Sequence, residues 1–482
     1  MNWMAQHWLA LALLVGYTGM LFYNAYLGNK VSRGMPGYYV GNREMNGIVV
    51  GISFFATFAS TNTYIGHAGK AYDYGVAWFT MAVLLVVFSW ISWRWIGPPL
   101  RRVASQWDAL TIPDFLGSRY IAAENQQGRH LLLQASALVI VFASLLYLLA
   151  IFKGAGHLFQ MFLDVPYEAG VGLTLLIVVL YTSVGGFVSV VRTDVIQGLL
   201  MLLGSVVIFY FVTRAAGGVT SISTLSVLPD KQFLFELNGG IPFAVLLGVS
   251  LSGSLKLLAD PRQLSRFYAL KDETEVRRGK WIATIGLAIV LGCLFPVGIY
   301  AHLILTEVTD TDLIVPSLVN DASVFPLWAT DFLIVSILAA AMSSMDSVLL
   351  VAASTLYKNI VAPFSPSSRE LLWTRTAVIG FSIVAALLAL KPPGDIVEIT
   401  IFSGSLYAVC FFPAVVFGLY WRLGSARTVL WSMAIGISAL IVWIAAGLRQ
   451  DLHEVFPALL LSTLTYYLLS LAEASPETNT DR

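Results

Sequence analysis

Residues 337–350, ILAAAMSSMDSVLL, place three serines and one aspartate inside an apolar segment, 332–351, that is long enough to cross a lipid bilayer. Small and hydroxyl side chains share one face at helical spacing: Ala340, Ser343, Ser344 and Ser347. Because the carboxylate of Asp346 is costly at membrane depth, we interpret this helix as part of an ion path. Oxygen ligands without sulfur or imidazole suit a hard cation. The alternative is that the serines only pack helices closely and bond back to their own helix.

The composition is that of a membrane protein. The 482 residues are 57% hydrophobic and 12% charged, with a mean hydropathy of +0.78, whereas soluble domains are about 25% charged. The formal net charge of +0 gives no basic field for nucleic acid. Cys293 and Cys410 lie in different apolar segments, so we predict neither a metal centre nor a disulfide. We interpret the first apolar run as a retained helix rather than a cleaved signal peptide.

Continuous apolar runs predict an all-α polytopic membrane protein with about thirteen transmembrane helices, and they exclude a barrel of alternating strands. Numbered from zero, the predicted spans are 6–28, 46–68, 74–97, 129–153, 167–184, 190–213, 239–259, 280–305, 330–357, 372–391, 397–420, 426–447 and 455–472. We expect three parts: an extra N-terminal helix with its inward loop (1–45), a ten-helix transport core (46–420), and two C-terminal helices with a short tail (421–482).

Basic residues predict the orientation. With the N-terminus outside, 21 of the 28 Lys and Arg fall in inward loops, six fall in outward loops and one lies within a span. Positively charged loops are retained on the cytoplasmic side. We therefore expect a multi-pass protein of the plasma (inner) membrane, surrounded by lipid, with its N-terminus outside and its C-terminus in the cytoplasm.

Polar runs interrupt two spans in their middle. Span one carries Ser60, Thr61, Asn62 and Thr63, and span six carries Ser250, Ser252, Gly253 and Ser254. A pair of broken helices five spans apart is typical of a five-plus-five inverted repeat, with a binding cavity at the unwound backbone. The alternative is that these small polar residues simply let helices pack.

A break after the Ala56-x-x-Ala59 motif would free the carbonyls of Ala56 and Ala59 from their partners one turn later. The hydroxyls of Ser343 and Ser344 and the carbonyl of Ala340 could complete a shell around a cation. Five neutral oxygens suit a weakly held monovalent ion, whereas Ca²⁺ or Mg²⁺ would normally require more carboxylate.

The chain resembles the sodium:solute symporter family, which has the leucine-transporter type of inverted-repeat fold. Four segments carry the resemblance besides 337–350: 110–120 (LTIPDFLGSRY), 181–197 (YTSVGGFVSVVRTDVIQ), 261–271 (PRQLSRFYALK) and 413–422 (PAVVFGLYWR). The resemblance implies uptake of a solute coupled to the Na⁺ gradient. It also implies a sodium site built from the same five residues: Ala56, Ala59, Ala340, Ser343 and Ser344.

Asp194 is a second carboxylate within the predicted spans. Some members of the family place this aspartate and serines of the eighth core helix around a second sodium ion. Ser343, Asp346 and Ser347 match those positions, with Asp346 in place of a hydroxyl. We expect a second cation site there, and coupling to protons stays open because like charges favour protonation of one carboxyl group. The alternative is a salt bridge from Asp194 to an arginine of an inward loop.

The candidate solute ligands surround the two breaks. Hydroxyl and amide groups come from Ser60, Thr61, Asn62 and Thr63, beside backbone N–H groups that favour anions. Lys256 occupies a position that often faces the solute in this family, and Tyr147 in span three could face the same cavity. An ammonium group would attract a carboxylate, although Lys256 could instead pair with Asp260 at i+4 or extend toward the inner surface.

We therefore predict a sodium-coupled secondary symporter that imports a small organic solute by alternating access. The favoured solute bears a carboxylate, as in a monocarboxylate or an amino acid such as proline. A neutral sugar is the alternative solute, and a transporter-like membrane sensor and a passive channel are the alternative classes. No GxSxG, HExxH or P-loop motif is present in the sequence, so we do not expect an enzyme.

Overall fold

The computed structural model describes residues 6–32, 34–121, 126–306, 308–421 and 423–474. The polar tail beyond residue 474, which the sequence predicts, lies outside the described residues. The described part of the chain is helical, with one isolated bridge between Met45 and Leu270. Eleven of its helical segments are long and apolar enough to cross a membrane. The prediction of an all-α polytopic membrane protein is confirmed.

We label the α-helices of the described residues α1 to α18 in chain order. They are α1 Trp8–Val31, α2 Gly34–Val40, α3 Gly47–Phe58, α4 His67–Tyr74, α5 Phe79–Ile91, α6 Gly97–Gln106, α7 Ile112–Tyr120, α8 Gln126–Leu163, α9 Tyr167–Ala215, α10 Phe243–Ala259, α11 Pro261–Ala269, α12 Glu273–Ala301, α13 Ile314–Asn320, α14 Leu327–Thr355, α15 Glu370–Ala389, α16 Ile396–Tyr420, α17 Ala426–Ala445 and α18 Val455–Ala474. Single π-helical turns at Asn62–Gly66, Ser92–Ile96 and Leu356–Val361 extend several of them.

Helix α9 covers two of the predicted spans, 167–184 and 190–213. Its backbone leaves helical geometry at Gly186, where φ is 64° and ψ is −170°. A side chain is disfavoured there, because a Cβ atom at this position would lie 2.6 Å from the Tyr38 ring. The total of thirteen spans stays a prediction.

The helix of span one ends where the Ala-x-x-Ala motif ends. Helix α3 stops at Phe58, and Ala59 is extended, with φ −69° and ψ 116°. The chain becomes helical again in the π-turn Asn62–Gly66 and continues into α4. The backbone of residues 59–60 therefore separates two half-helices inside one predicted span.

The sequence predicts the second break at Ser250, Ser252, Gly253 and Ser254. That position is wrong, because α10 continues to Ala259 and the backbone becomes extended only at Asp260, with φ −71° and ψ 121°. Pro261 causes the break there, since it has no backbone N–H to continue the helix and disfavours helical geometry in the preceding residue. Asp260 then caps α11 by accepting a 2.9 Å hydrogen bond from the backbone N–H of Arg262.

The serines of α10 serve helix packing instead. Ser252 Oγ donates to the carbonyl of Ile401 on α16 at 2.9 Å, and its oxygen lies 2.8 Å from Ser405 Oγ. Ser254 Oγ donates to the carbonyl of Ser250 at 2.7 Å. The packing alternative therefore describes Ser252 and Ser254, whose hydroxyls find partners without unwinding the helix, whereas Ser250 Oγ is buried without a partner among the described residues.

Helix α14 lies at the centre of the bundle. It packs against α1, α3, α8, α9 and α15, and nearly all of its side chains are buried. The IPDF motif holds the C-terminal end of this helix, because Asp114 accepts hydrogen bonds from Lys358 Nζ at 2.5 Å and from Asn359 Nδ2 at 3.1 Å. The polar face of α14, with Ser343, Ser344 and Ser347, is therefore buried in protein.

Candidate sodium and solute site

The five residues predicted to bind sodium meet where α14 crosses the end of α3. Ser343 Oγ donates to the carbonyl oxygens of Ala56 at 2.9 Å and of Ala340 at 3.1 Å. Ser344 Oγ lies 3.4 Å from the carbonyl oxygen of Ala59. All five residues are fully buried. The structure therefore brings two hydroxyl and three carbonyl oxygens together in a cluster that is buried from solvent.

The carbonyl of Ala56 is free of its usual helical partner for a local reason. The backbone N–H of Ser60, which would bond to it in a continuous helix, donates instead to Thr63 Oγ1 at 3.2 Å. A sixth oxygen, the carbonyl of Thr57, accepts from Ser344 Oγ at 3.0 Å. Sequence reasoning missed Thr57, although its place between Ala56 and Ala59 on the last turn of α3 signals a free carbonyl.

A buried arginine binds Asp194. Arg266 Nη2 lies 3.1 Å from Asp194 Oδ2, and it also donates to Ser347 Oγ at 2.5 Å and to Thr57 Oγ1 at 2.6 Å. The side chains of Arg266 and Asp194 are completely buried. Ser53 Oγ donates to the same carboxylate oxygen at 2.6 Å. The structure therefore contains the salt bridge that the sequence analysis kept as the alternative for Asp194, with Arg266 as the partner.

A second buried carboxylate, that of Asp346, belongs to the same cluster. Asp346 accepts a hydrogen bond from Tyr181 at 3.3 Å and one from Ser347 Oγ at 3.4 Å. In the described residues no Lys, Arg or His lies within ion-pair distance of Asp346, and Asp194 Oδ1 has no hydrogen-bond partner. The cluster of Asp194, Asp346, Ser347 and Arg266 therefore carries one more carboxylate than cations among the described residues, and one carboxylate oxygen, Asp194 Oδ1, has no partner there.

The polar residues of the first break mostly bond to one another. Ser60 Oγ accepts from the backbone N–H of Asn62 at 3.1 Å and from the hydroxyl of Tyr147 at 3.4 Å. The backbone N–H groups of Ser60 and Asn62 are therefore used locally. Thr61 Oγ1 and Asn62 Oδ1 are buried, and the described residues offer them no partner. These two oxygens are the polar atoms of the break that a ligand could engage.

Lys256 projects from α10 toward the same break. Its ammonium lies 5.3 Å from the ring centres of both Phe58 and Tyr147, and the residue is 5% exposed. The i+4 alternative with Asp260 is not found, because Asp260 is bound by Arg262, whose Nε lies 3.0 and 2.9 Å from its two oxygens. Sequence reasoning missed Arg262, although an arginine two residues after a helix-capping aspartate signals this pairing.

A cavity of about 220 Å³ lies between α10 and α16, and its wall includes Trp78, Val249, Ile401 and His453. Trp78 Nε1 lies 3.3 Å from His67 Nδ1, and the other His67 nitrogen lies 3.4 Å from Asn62 Nδ2. These contacts connect the wall of the cavity to the first break.

Burial lowers the pKa of His453, which lies in the loop before α18, to about 4.

The fold, with a buried oxygen cluster beside a broken helix, is that of a multi-pass membrane transporter. The chain belongs to the sodium:solute symporter family, whose model matches residues 38–436. The predicted family and Na⁺ as the coupled ion are confirmed, and with them sodium-coupled symport as the class of activity.

Individual relatives match along most of the chain. The chain is 30% identical to a sodium/pantothenate symporter of Escherichia coli over 467 residues, with 94% of each sequence covered. It is 28% identical to an osmoregulated proline transporter of Bacillus subtilis, with 97% of this chain and 95% of the relative covered. A solved Na⁺-coupled sialic acid symporter superposes with a TM-score of 0.81 at 20% identity, covering 98% of this chain and 99% of that one. This likeness confirms the fold.

Proposed function

We propose that this protein imports a small carboxylate-bearing solute together with Na⁺. The observation that carries the proposal is the buried oxygen cluster between α14 and the break in α3. The relatives named above are symporters of pantothenate, a carboxylate, and transporters of proline, which also bears one. Their transport activities support the proposal that this chain moves a solute rather than catalyses a reaction. A neutral sugar is the second candidate, but the ammonium group of Lys256, which has no ion-pair partner among the described residues, favours the carboxylate.

In the proposed cycle, Na⁺ is held by the carbonyls of Ala56, Ala59 and Ala340 and the hydroxyls of Ser343 and Ser344. Na⁺ replaces the hydrogen bonds across this junction by ligand bonds that hold α14 against the broken end of α3. The solute then binds beside the break, and tilting of α14 separates the ligands and releases the ion. Because the two binding events are coupled, solute should tighten Na⁺ binding by the same factor as Na⁺ tightens solute binding.

The second cation site stays a proposal built from Asp194, Asp346 and Ser347. The excess of one buried carboxylate over cations supports it, because a buried uncompensated charge is unfavourable. Arg266 supports the competing proposal, in which the guanidinium permanently occupies the position of a second ion. The two proposals differ in the number of Na⁺ ions moved with each solute molecule, and coupling to protons is compatible with the first.

The proposed solute site comprises the first break and the side chains that face it: Ser60, Thr61, Asn62, Thr63, Tyr147 and Lys256. The basic residues of the loops support a location in the plasma (inner) membrane with the N-terminus outside and the C-terminus in the cytoplasm. No feature of the described residues supports the alternative that the protein is a sensor rather than a transporter.

Uptake into proteoliposomes tests the proposed function. A panel of carboxylates, amino acids and sugars would be offered under an inward Na⁺ gradient, under a proton gradient alone and with neither. We expect accumulation of at least one carboxylate above its external concentration only with Na⁺. Purified protein should also gain thermal stability from Na⁺ and not from K⁺. Equilibration without accumulation would indicate a channel, and binding without flux would indicate a sensor.

A further inference from the structure

We infer that the transported solute is a net monoanion, a carboxylate without an ammonium group, and that zwitterionic amino acids are rejected. This inference rests on the proposed function and narrows its solute class. It separates the two kinds of relative named above, because pantothenate is an anion whereas proline is a zwitterion at neutral pH.

The first observation is an uncompensated ammonium. Lys256 is 5% exposed, yet within the described part of the chain its Nζ has no hydrogen-bond acceptor and no carboxylate within ion-pair distance. Its neighbours are the faces of Phe58 and Tyr147, each with its ring centre 5.3 Å away. Aromatic faces attract a cation but do not neutralise it. A solute carboxylate at this position would supply the missing negative charge.

The second observation is that Asp260, the carboxylate four residues after Lys256, already has a cationic partner. Asp260 binds Arg262 Nε through both oxygens, at 3.0 and 2.9 Å, and caps α11 as well. Both residues are buried. Asp260 is therefore neutralised in place and leaves no negative charge for the ammonium group of a zwitterion. The charges of Asp260 and Arg262 cancel, so the positive charge of Lys256 is the net charge of these three side chains.

A second unpaired donor lies against the same ring. The Arg262 guanidinium stacks 3.7 Å from the centre of the Tyr147 ring, and its Nη1 is buried with no partner among the described residues. Lys256 Nζ and Arg262 Nη1 thus both present N–H groups near Tyr147. Two cationic donors suit the two oxygens of one carboxylate. The same donors would repel a solute ammonium group.

The position of the lysine is defined by its surroundings. A Cβ atom added at Gly404 of α16 would lie 3.5 Å from Lys256 Cδ and 2.9 Å from the carbonyl of Ser252. The aliphatic stem of Lys256 therefore lies against Gly404 and cannot move into α16. This restricts the ammonium to the side of α10 that faces the first break.

The test compares matched solutes in proteoliposomes with an inward Na⁺ gradient. Proline and N-acetylproline share a skeleton but differ in the ammonium group, and pantothenate and its alcohol panthenol differ in the carboxylate. The measurements are uptake of each labelled solute and its competition with the others. We expect N-acetylproline to compete at least about tenfold more strongly than proline, and pantothenate at least about tenfold more strongly than panthenol.

Variants assign the preference to the lysine. Lys256→Met should abolish the difference within each pair, and Lys256→Arg should retain it. Lys280→Met is the matched control, because Lys280 lies over the Trp90 and Trp281 rings away from this site and should change nothing. Na⁺-dependent thermal stabilisation of Lys256→Met shows that the variant is folded, since the sodium ligands are untouched.

The outcomes separate the two proposals. Sodium-driven uptake in which proline equals or exceeds the anions, or in which Lys256→Met keeps the wild-type preference, overturns the inference and leaves the proposed function intact. Absence of sodium-driven uptake for every solute in the panel overturns the proposed function itself.

Discussion

Ser343 Oγ donates a 2.9 Å hydrogen bond to the carbonyl oxygen of Ala56, across 287 positions of sequence. The bond joins the middle of α14 to the last turn of α3, just before the chain leaves helical geometry at Ala59. Because both atoms are buried, no water can replace either partner while the helices stay in contact. Any tilt of α14 relative to α3 must therefore change the oxygen cluster, which is the property that ion-coupled gating requires.

The first prediction concerns the hydroxyl ligands. We expect Ser343→Ala and Ser344→Ala each to raise the Na⁺ concentration for half-maximal uptake by about tenfold, which corresponds to about 1.4 kcal/mol for one lost oxygen ligand. Solute uptake measured across a series of Na⁺ concentrations checks this. Ser336→Ala is the control on the same helix, because the one partner of Ser336 Oγ among the described residues is the carbonyl of Phe332 at 3.0 Å. An unchanged Na⁺ dependence in both ligand variants would refute the site.

The second prediction counts the ions. If Asp346 helps to bind a second Na⁺, Asp346→Asn should lower the Hill coefficient for Na⁺ from about two to about one. Uptake of a monoanion should then also lose its stimulation by an inside-negative membrane potential, because two Na⁺ with one anion carry net charge and one Na⁺ does not. A wild-type Hill coefficient near one, unaffected by the substitution, would favour Arg266 as the permanent cation.

Asp346 is the better position for this test than Asp194. Removing the charge of Asp194 would leave the buried Arg266 without its ion-pair partner, which destabilises proteins by about 3–5 kcal/mol. We therefore expect Asp194→Asn to lower the thermal stability of the purified protein, whereas Asp346→Asn, with no cation in contact among the described residues, should not. Thermal unfolding of the two variants in Na⁺-free buffer distinguishes a loss of fold from a loss of ion binding.

The third prediction concerns the second helix break. Asp260→Asn should destabilise the protein by about 3–5 kcal/mol, because it leaves the buried Arg262 unpaired where α10 meets α11. Asp272→Asn is the matched substitution at an exposed helix cap, where the carboxylate accepts from the backbone N–H groups of Thr274 and Glu275 at 2.8 and 3.0 Å. We expect Asp272→Asn to lower the free energy of unfolding much less than Asp260→Asn does. Equal effects on the melting temperature would show that the ion pair of Asp260 adds nothing to its cap.

The fourth prediction concerns pH. Burial lowers the pKa of His453 to about 4, and Nδ1 of the neutral ring accepts from the backbone N–H of Val455 at 3.3 Å. Since an unfolded histidine has a pKa of about 6.5, acid protonates the unfolded chain first and favours unfolding. The wild type should therefore lose up to about 2 kcal/mol of stability between pH 6.5 and pH 5 relative to His453→Gln. Parallel pH profiles of melting temperature for the two proteins would contradict this.

Much of the proposed sodium site follows from local sequence rules. The spacing of Ala340, Ser343 and Ser344 puts three oxygens on one helix face, because a helix turns once every 3.6 residues. The polar run after Ala59 predicts where a helix stops. Composition and the length of apolar runs predict that this is a membrane protein, because a bilayer requires apolar helices of a minimum length in any sequence.

The second break shows where that reasoning fails. The serines of α10 indicate a polar interruption, but the hydroxyls of Ser252 and Ser254 bond to α16 and to their own helix. The break occurs at Asp260, before Pro261. A hydroxyl can be satisfied by any nearby carbonyl, so its presence does not identify an unwound backbone. A proline identifies a helix break more specifically, because it lacks the backbone N–H that a continuous helix needs.

The sequence by itself determined that this is a helical membrane protein of the sodium:solute symporter family with an oxygen-rich face on α14. Only the tertiary structure decided which charges meet: Arg266 with Asp194, and Arg262 rather than Lys256 with Asp260. The physical reason is that helix periodicity and proline act between neighbours in sequence. The energy of a buried charge depends instead on which side chains the fold brings within a few ångströms, and among the described residues it brings no carboxylate to Lys256.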